Sequence, residues 1–130
     1  MTARMADYYE IDKERRLVTS TASGVITLPE VWAHQEKLEK DPDFDRNFAQ
    51  LLDITQVTKL DLSSEDIRSV AGSNLFASNP RLAIVASSNF LYGLARMFQI
   101  LREMNGKVGI RVFRDRDEAL AWVLAEGGDD

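Results

Sequence analysis

The sequence predicts an α/β domain built on a mostly parallel sheet of four or five strands. Three observations carry that prediction. Leu82-Ala83-Ile84-Val85-Ala86 is an uninterrupted apolar run, entered through Pro80-Arg81 and left through Ser87-Ser88-Asn89. Such a run reads as a strand buried on both faces, the kind found in sheets covered by helices on both sides. A long apolar helix, Phe90 to Met104, follows it directly. Strand-like and helix-like segments also alternate over the rest of the chain, which implies strand–helix–strand crossovers.

The elements follow in order. Tyr8–Asp12 and Leu17–Ser23 read as an N-terminal hairpin with Lys13-Glu14-Arg15-Arg16 at its tip, and Gly24 is expected to end the second strand. Leu28–Lys40 reads as a helix: Pro29 suits its first turn, and Leu28, Val31, Trp32 and Leu38 share a face. Asp41-Pro42-Asp43 breaks it, and Phe48–Ile54 is a second buried-type strand. Ser63–Ala77 is a helix with Ile67, Val70, Ala71 and Leu75 on one side, stopped by Asn79-Pro80. After the central strand and long helix, Asn105-Gly106 marks a turn into a strand, Val108–Phe113. Asp115–Glu126 is the last helix, with capping-box spacing in Asp115-Arg116-Asp117-Glu118, and 127–130 is expected to fray. The order is β-β-α-β-α-β-α-β-α, four helices in all, with the first strand as the antiparallel member.

A chain of 130 residues, 45% hydrophobic and 28% charged, is expected to form one domain over 1–130. The formal net charge is −5, and the one close basic cluster, Lys13 with Arg15 and Arg16, is interrupted by Glu14. That balance argues against a nucleic-acid surface. There is no cysteine, so there is no disulfide, thiolate metal site or Cys nucleophile. Met1 to Glu14 is polar, unlike a secretory leader, and no stretch approaches the length of a membrane span. The expected compartment is the cytoplasm.

Gly24 followed by Ile26-Thr27, Asp41-Pro42-x-Phe44 before Leu51-Leu52-Asp53, Tyr92-Gly93-Leu94-Ala95-Arg96, and Val112-Phe113 leading to Glu118-Ala119-Leu120-x-Trp122 run along nearly the whole chain. In these features and in element order the sequence resembles the STAS superfamily, and more closely its SpoIIAA-like branch of small bacterial proteins. None of these motifs is catalytic. The resemblance implies a single STAS-like domain acting as a non-enzymatic regulatory or protein-interaction module. It also suggests an alternative, a carrier or sensor of a small lipid-like molecule held among the helices. In the wider superfamily a serine at the start of the second helix is phosphorylated within Asp-Ser-Ser-Gly. This chain has Asp61-Leu62-Ser63-Ser64, which makes Ser63 the candidate position, with Leu62 and Ser64 departing from the pattern. Phosphate suits a helix N-terminus electrostatically, and a plain N-cap with Asp66 is the other reading of Ser63.

Further candidates come from position. Asp53, at the carboxyl end of a buried strand, and Ser87, Ser88 and Asn89, at the end of its neighbour, mark the edge where open α/β sheets bind ligands. Their other roles are turn formation and capping. Asp41-Pro42-Asp43-Phe44-Asp45 begins like a calcium loop but has Arg46 where Gly is needed and Leu52 where the bidentate Glu belongs. His34, the only histidine, is expected on the solvated side of the first helix. In the long helix Phe90, Leu91, Leu94, Phe98 and Leu101 are expected to form the core stripe. Gly93, Met97, Ile100 and Met104 widen the apolar arc to about 200°, more than one sheet face needs. They are the candidate interface for self-association or the face of an apolar ligand. No nucleophile–base pair, metal cluster or phosphate loop is evident, so no enzyme, cofactor or metal is expected.

Overall fold

In a computed structural model the described residues are 6–72, 81–106 and 109–125. Five strands form one sheet in sequential order: β1 (Ala6–Asp12), β2 (Leu17–Thr27), β3 (Ala49–Asp61), β4 (Leu82–Val85) and β5 (Ile110–Phe113). β1 runs antiparallel to β2, and every later pairing is parallel. The helices are α1 (Leu28–Glu39), α2 (Ser64–Ala71), α3 (Asn89–Met104) and α4 (Arg116–Leu124). The predicted class, order and antiparallel hairpin are those observed.

β4 lies one strand in from the β5 edge, and the centre of the sheet is β3. All four residues of β4 are buried, with β3 hydrogen-bonded on one side and β5 on the other. The hairpin tip turns without glycine: Arg16 takes a left-handed conformation with φ 55°. Asp12 holds it, accepting from the Arg15 N–H at 3.1 Å and from Arg15 Nε at 2.8 Å.

Two strands outrun their predicted ends. Gly24 does not terminate β2. It sits inside the strand with φ 77°, next to a register shift between Gly24 and Val25. β3 likewise continues past its expected end at Ile54 to Asp61. The physical reason is mutual: two bulges let β2 and β3 stay paired from Leu17↔Ala49 to Thr27↔Asp61. The local signal at Gly24 favours a chain break, and long-range pairing overrides it.

α1 is capped by Thr27 and Glu30, and α2 by Ser63 and Asp66, each in a reciprocal capping box. α4 is capped by Asp115, which accepts from the Asp117 N–H. The predicted residues 73–77 of the second helix, its Asn79-Pro80 stop, Val108 at the start of the last strand and the 127–130 tail lie outside the described residues.

The two faces of the sheet are covered unequally. Among the described residues α4 is the one helix on one face, where Leu17, Leu51, Ala83 and Val85 meet Ala119 and Val123. α1, α2 and α3 share the other, over Ile26, Ile54, Leu82, Ile84 and Val112. Ile84, Val85 and Leu51 are deeply buried as predicted. Of the predicted core stripe of α3 Leu91 is buried as expected, but Ala95 and Arg102 complete the buried line, Leu101 is only half-buried and Phe90 is 69% exposed. Leu94 and Phe98, also expected in the deep core, are only half-buried. The helix is apolar around so much of its circumference that the pattern does not mark its inward line. Arg102, 2% exposed, reaches the Ala71 carbonyl at 3.4 Å and closes the joint between α3 and α2.

Candidate functional site

The shared face does not close completely. A cavity of about 160 Å³ lies between the sheet and its three covering helices. Its floor is built by alternate residues of the parallel strands, including Gln50, Leu52 and Ile54 from β3 and Leu82 and Ile84 from β4. Its walls are Val31, His34 and Gln35 of α1, Leu62, Ile67 and Val70 at α2, and Leu91, Leu94, Ala95 and Phe98 of α3. A side lobe of about 90 Å³ runs toward β2, past Ser20, Thr21, Ala22 and Ile26.

Most of this lining is apolar, and its polar groups converge at one end. Ser20 and Gln50, 5% and 7% exposed, are inward residues of β2 and β3. Opposite them are His34 and Gln35. His34 Nε2 lies 3.3 Å from Ser20 Oγ, and its ring meets Tyr9 edge-on with centroids 5.8 Å apart. Tyr9 is itself fixed, donating through its hydroxyl to Asp41 at 2.8 Å. His34 is therefore a half-buried wall residue and not the solvated one expected from the sequence. The signal was present in the spacing: Val31, His34 and Leu38 stand three and four residues apart, on one helical face. Ser20 and Gln50 were also legible as polar residues at inward positions of buried strands.

The strand-end candidates are placed near one another by register, since Asp53 pairs with Val85 and Ser87 follows two residues later. Their side chains have separate partners. Asp53 accepts from the Thr55 N–H at 2.9 Å, from the Thr55 hydroxyl at 2.7 Å and from Arg116 Nη1 at 2.6 Å. Burial works against its charge, but the two bonds from Thr55 and the Arg116 guanidinium outweigh it and hold the carboxyl below its ordinary value. Ser88 caps α3, accepting from the Leu91 N–H at 3.1 Å, and Ser87 and Asn89 are exposed beside it.

Ser63 is exposed and caps α2. Its hydroxyl accepts from the Asp66 N–H at 3.0 Å, and its own N–H donates to the Asp66 carboxylate at 3.0 Å. Leu62, next to it, lines the cavity. Gly93, Met97, Ile100 and Met104 lie outside the cavity, on the outer flank of α3, where Ile100 is 49% and Met104 76% exposed.

Solved structures settle the architecture. An uncharacterized protein with a SpoIIAA-like fold from Shewanella loihica superposes with a TM-score of 0.59 at 20% identity, over 95% of this chain and 96% of its own. An anti-sigma factor antagonist from Mycobacterium paratuberculosis superposes with a TM-score of 0.62 at 16% identity, over 96% of this chain and all of its own. The fold is SpoIIAA-like, of STAS type. At these identities the likeness concerns architecture alone. The sequence matches no known family and no curated protein. Among the described residues no helix is long and apolar enough to cross a membrane.

Proposed function

We propose that this chain is a non-enzymatic, STAS-type regulatory module whose input is a small, mostly apolar molecule carried between the sheet and α1, α2 and α3. The observation that carries the reading is the cavity, apolar along its length and polar at the end formed by Ser20, His34, Gln35 and Gln50. A space of about 160 Å³ suits a single ring or a short alkyl chain; an engineered apolar cavity of roughly 150 Å³ holds benzene. The polar end presents hydrogen-bonding groups to one hydroxyl, amide or carboxyl group on that molecule. Output follows from the wall. Leu62, Ile67 and Val70 attach the cavity to α2, so an occupant bears on the helix whose N-terminus displays Ser63.

Titration with p-cresol, one ring with one hydroxyl, tests this. Binding should shift the methyl resonances of Leu52 and Ile84 and spare those of Leu17 and Leu51 on the opposite face. Leu94→Trp, which fills the space, should abolish the shifts while the protein stays folded. Wild-type methyls unmoved at millimolar p-cresol and at millimolar octanoate would overturn the reading.

A second reading is a phosphorylation switch at Ser63 that governs a protein contact. One structural neighbour is an anti-sigma factor antagonist, and Ser63 is exposed at the start of α2. Repeated phosphoproteomics of the native host that finds Ser63 unmodified under varied growth conditions would count against it.

A further inference from the structure

α3 has two apolar lines. Leu91 and Ala95 face the sheet. On the outer side Phe90, Gly93, Met97, Ile100 and Met104 recur at alternating intervals of three and four residues, the period of a coiled-coil seam. Single exposed apolar residues are ordinary, but a seam-spaced row on a helix already packed along another line is not.

We propose that this row is the seam of a symmetric dimer, in which the α3 of a second copy lies antiparallel against it. Charge and size together select that occupant and direction. In an antiparallel pair about a two-fold axis, Met97 faces Ile100 of the second copy, and Gly93 faces Met104. The long thioether fills the place where glycine has no side chain; a Cβ built on Gly93 meets nothing within 4 Å among the described residues. The same geometry brings Arg96 beside Glu103 of the second copy, twice by symmetry. Within one chain both are exposed and joined through Gln99: Arg96 Nη1 donates to Gln99 Oε1 at 3.2 Å, and Gln99 Nε2 donates to Glu103 Oε2 at 3.2 Å. On the seam's other side Leu94 meets Leu101 of the second copy. A parallel pair would stack glycine on glycine and set Arg96 against Leu101, wasting both complementarities.

Sedimentation velocity from low micromolar to several hundred micromolar protein tests the proposal. The wild type should show reversible dimerisation. Met97→Asp should weaken it about a hundredfold, since it puts an unpaired charge in a dry contact. Arg96→Glu and Glu103→Arg should each weaken it about tenfold by facing like charges, and the double variant should recover wild-type affinity. Gly93→Gln, whose side chain has room in the monomer, should also weaken dimerisation. Circular dichroism confirms that each variant is folded. A wild type that stays monomeric, or a dimer whose affinity Met97→Asp leaves unchanged, overturns the proposal. Failure of the charge swap to restore affinity overturns the antiparallel arrangement.

Discussion

The two faces of the sheet solve the same burial problem differently. Under α4, Leu17, Leu51, Ala83, Val85, Ala119 and Val123 meet in a closed contact. Under α1, α2 and α3, three helices cover the strands and still leave a cavity. On the α4 face Leu17, Leu51 and Val85 of the strands pack with Ala119 and Val123, and Phe113, Leu120 and Trp122 pack against that cluster. On the other face the cavity lies among α1, the short α2 and α3, lined by Val31, Ile67, Val70, Leu94 and Phe98 from those helices. The closed face is where stability is concentrated, and the open face is where a molecule can be received.

The sharpest way to break this comparison is a matched pair of substitutions on adjacent residues of β3. Leu51, 1% exposed, points into the closed face, and Leu52 points at the cavity. Leu51→Ala should cost about 3–5 kcal/mol, near the top of the range for leucine truncation. Leu52→Ala should cost less than half of that, because its side chain already borders space and has fewer contacts to lose. Urea denaturation of both variants decides it, and equal losses would mean that the cavity side is packed as tightly as the other.

A smaller effect is expected at Asp53, which anchors α4 to the end of β3 through Arg116. Its carboxyl is depressed in the folded state, so its stabilisation is complete above the ordinary value of about 3.9 and is lost as pH falls through the lower native value. Arg116 is half-exposed, which limits the pair to about 1 kcal/mol at neutral pH. Asp53→Asn should therefore lower stability at pH 7 by about that amount, with the difference from wild type shrinking as the pH is taken below 4. A gap that stays constant to low pH would detach Asp53 from the acid response.

On the open side, Ser63→Ala should cost about 1 kcal/mol as a lost cap, and Ser63→Asp much less, because Asp also caps. Thermal melting distinguishes them. If both variants melt as the wild type does, the capping box at α2 contributes little and the cavity's α2 wall is held by Leu62, Ile67 and Val70 alone.

Much of the architecture was legible locally. The apolar run at β4, the Asn105-Gly106 turn and the caps at Ser63 and Asp115 each follow from a few adjacent residues, and each appears where those residues predict. The misreadings share one cause. Gly24, the end of β3, His34 and the inward line of α3 depend on what packs against them, and periodicity within a single element does not report its partner. The apolar residues of α1 taken alone place His34 in solvent; its burial comes from Tyr9 and Ser20, which lie 25 and 14 positions earlier in the chain.

By itself the sequence determined the α/β class, the order of nine elements and the antiparallel hairpin, because hydrophobic period, turn chemistry and caps act over a few residues. Only the tertiary structure decided which face each helix covers. Sequential parallel strands joined by crossovers of one hand carry every connecting helix to the same side, so α1, α2 and α3 crowd one face and, among the described residues, α4 is the one helix on the other. The cavity is a consequence of that crowding, since three helices meeting over one sheet face leave a space that no single segment of the chain encodes.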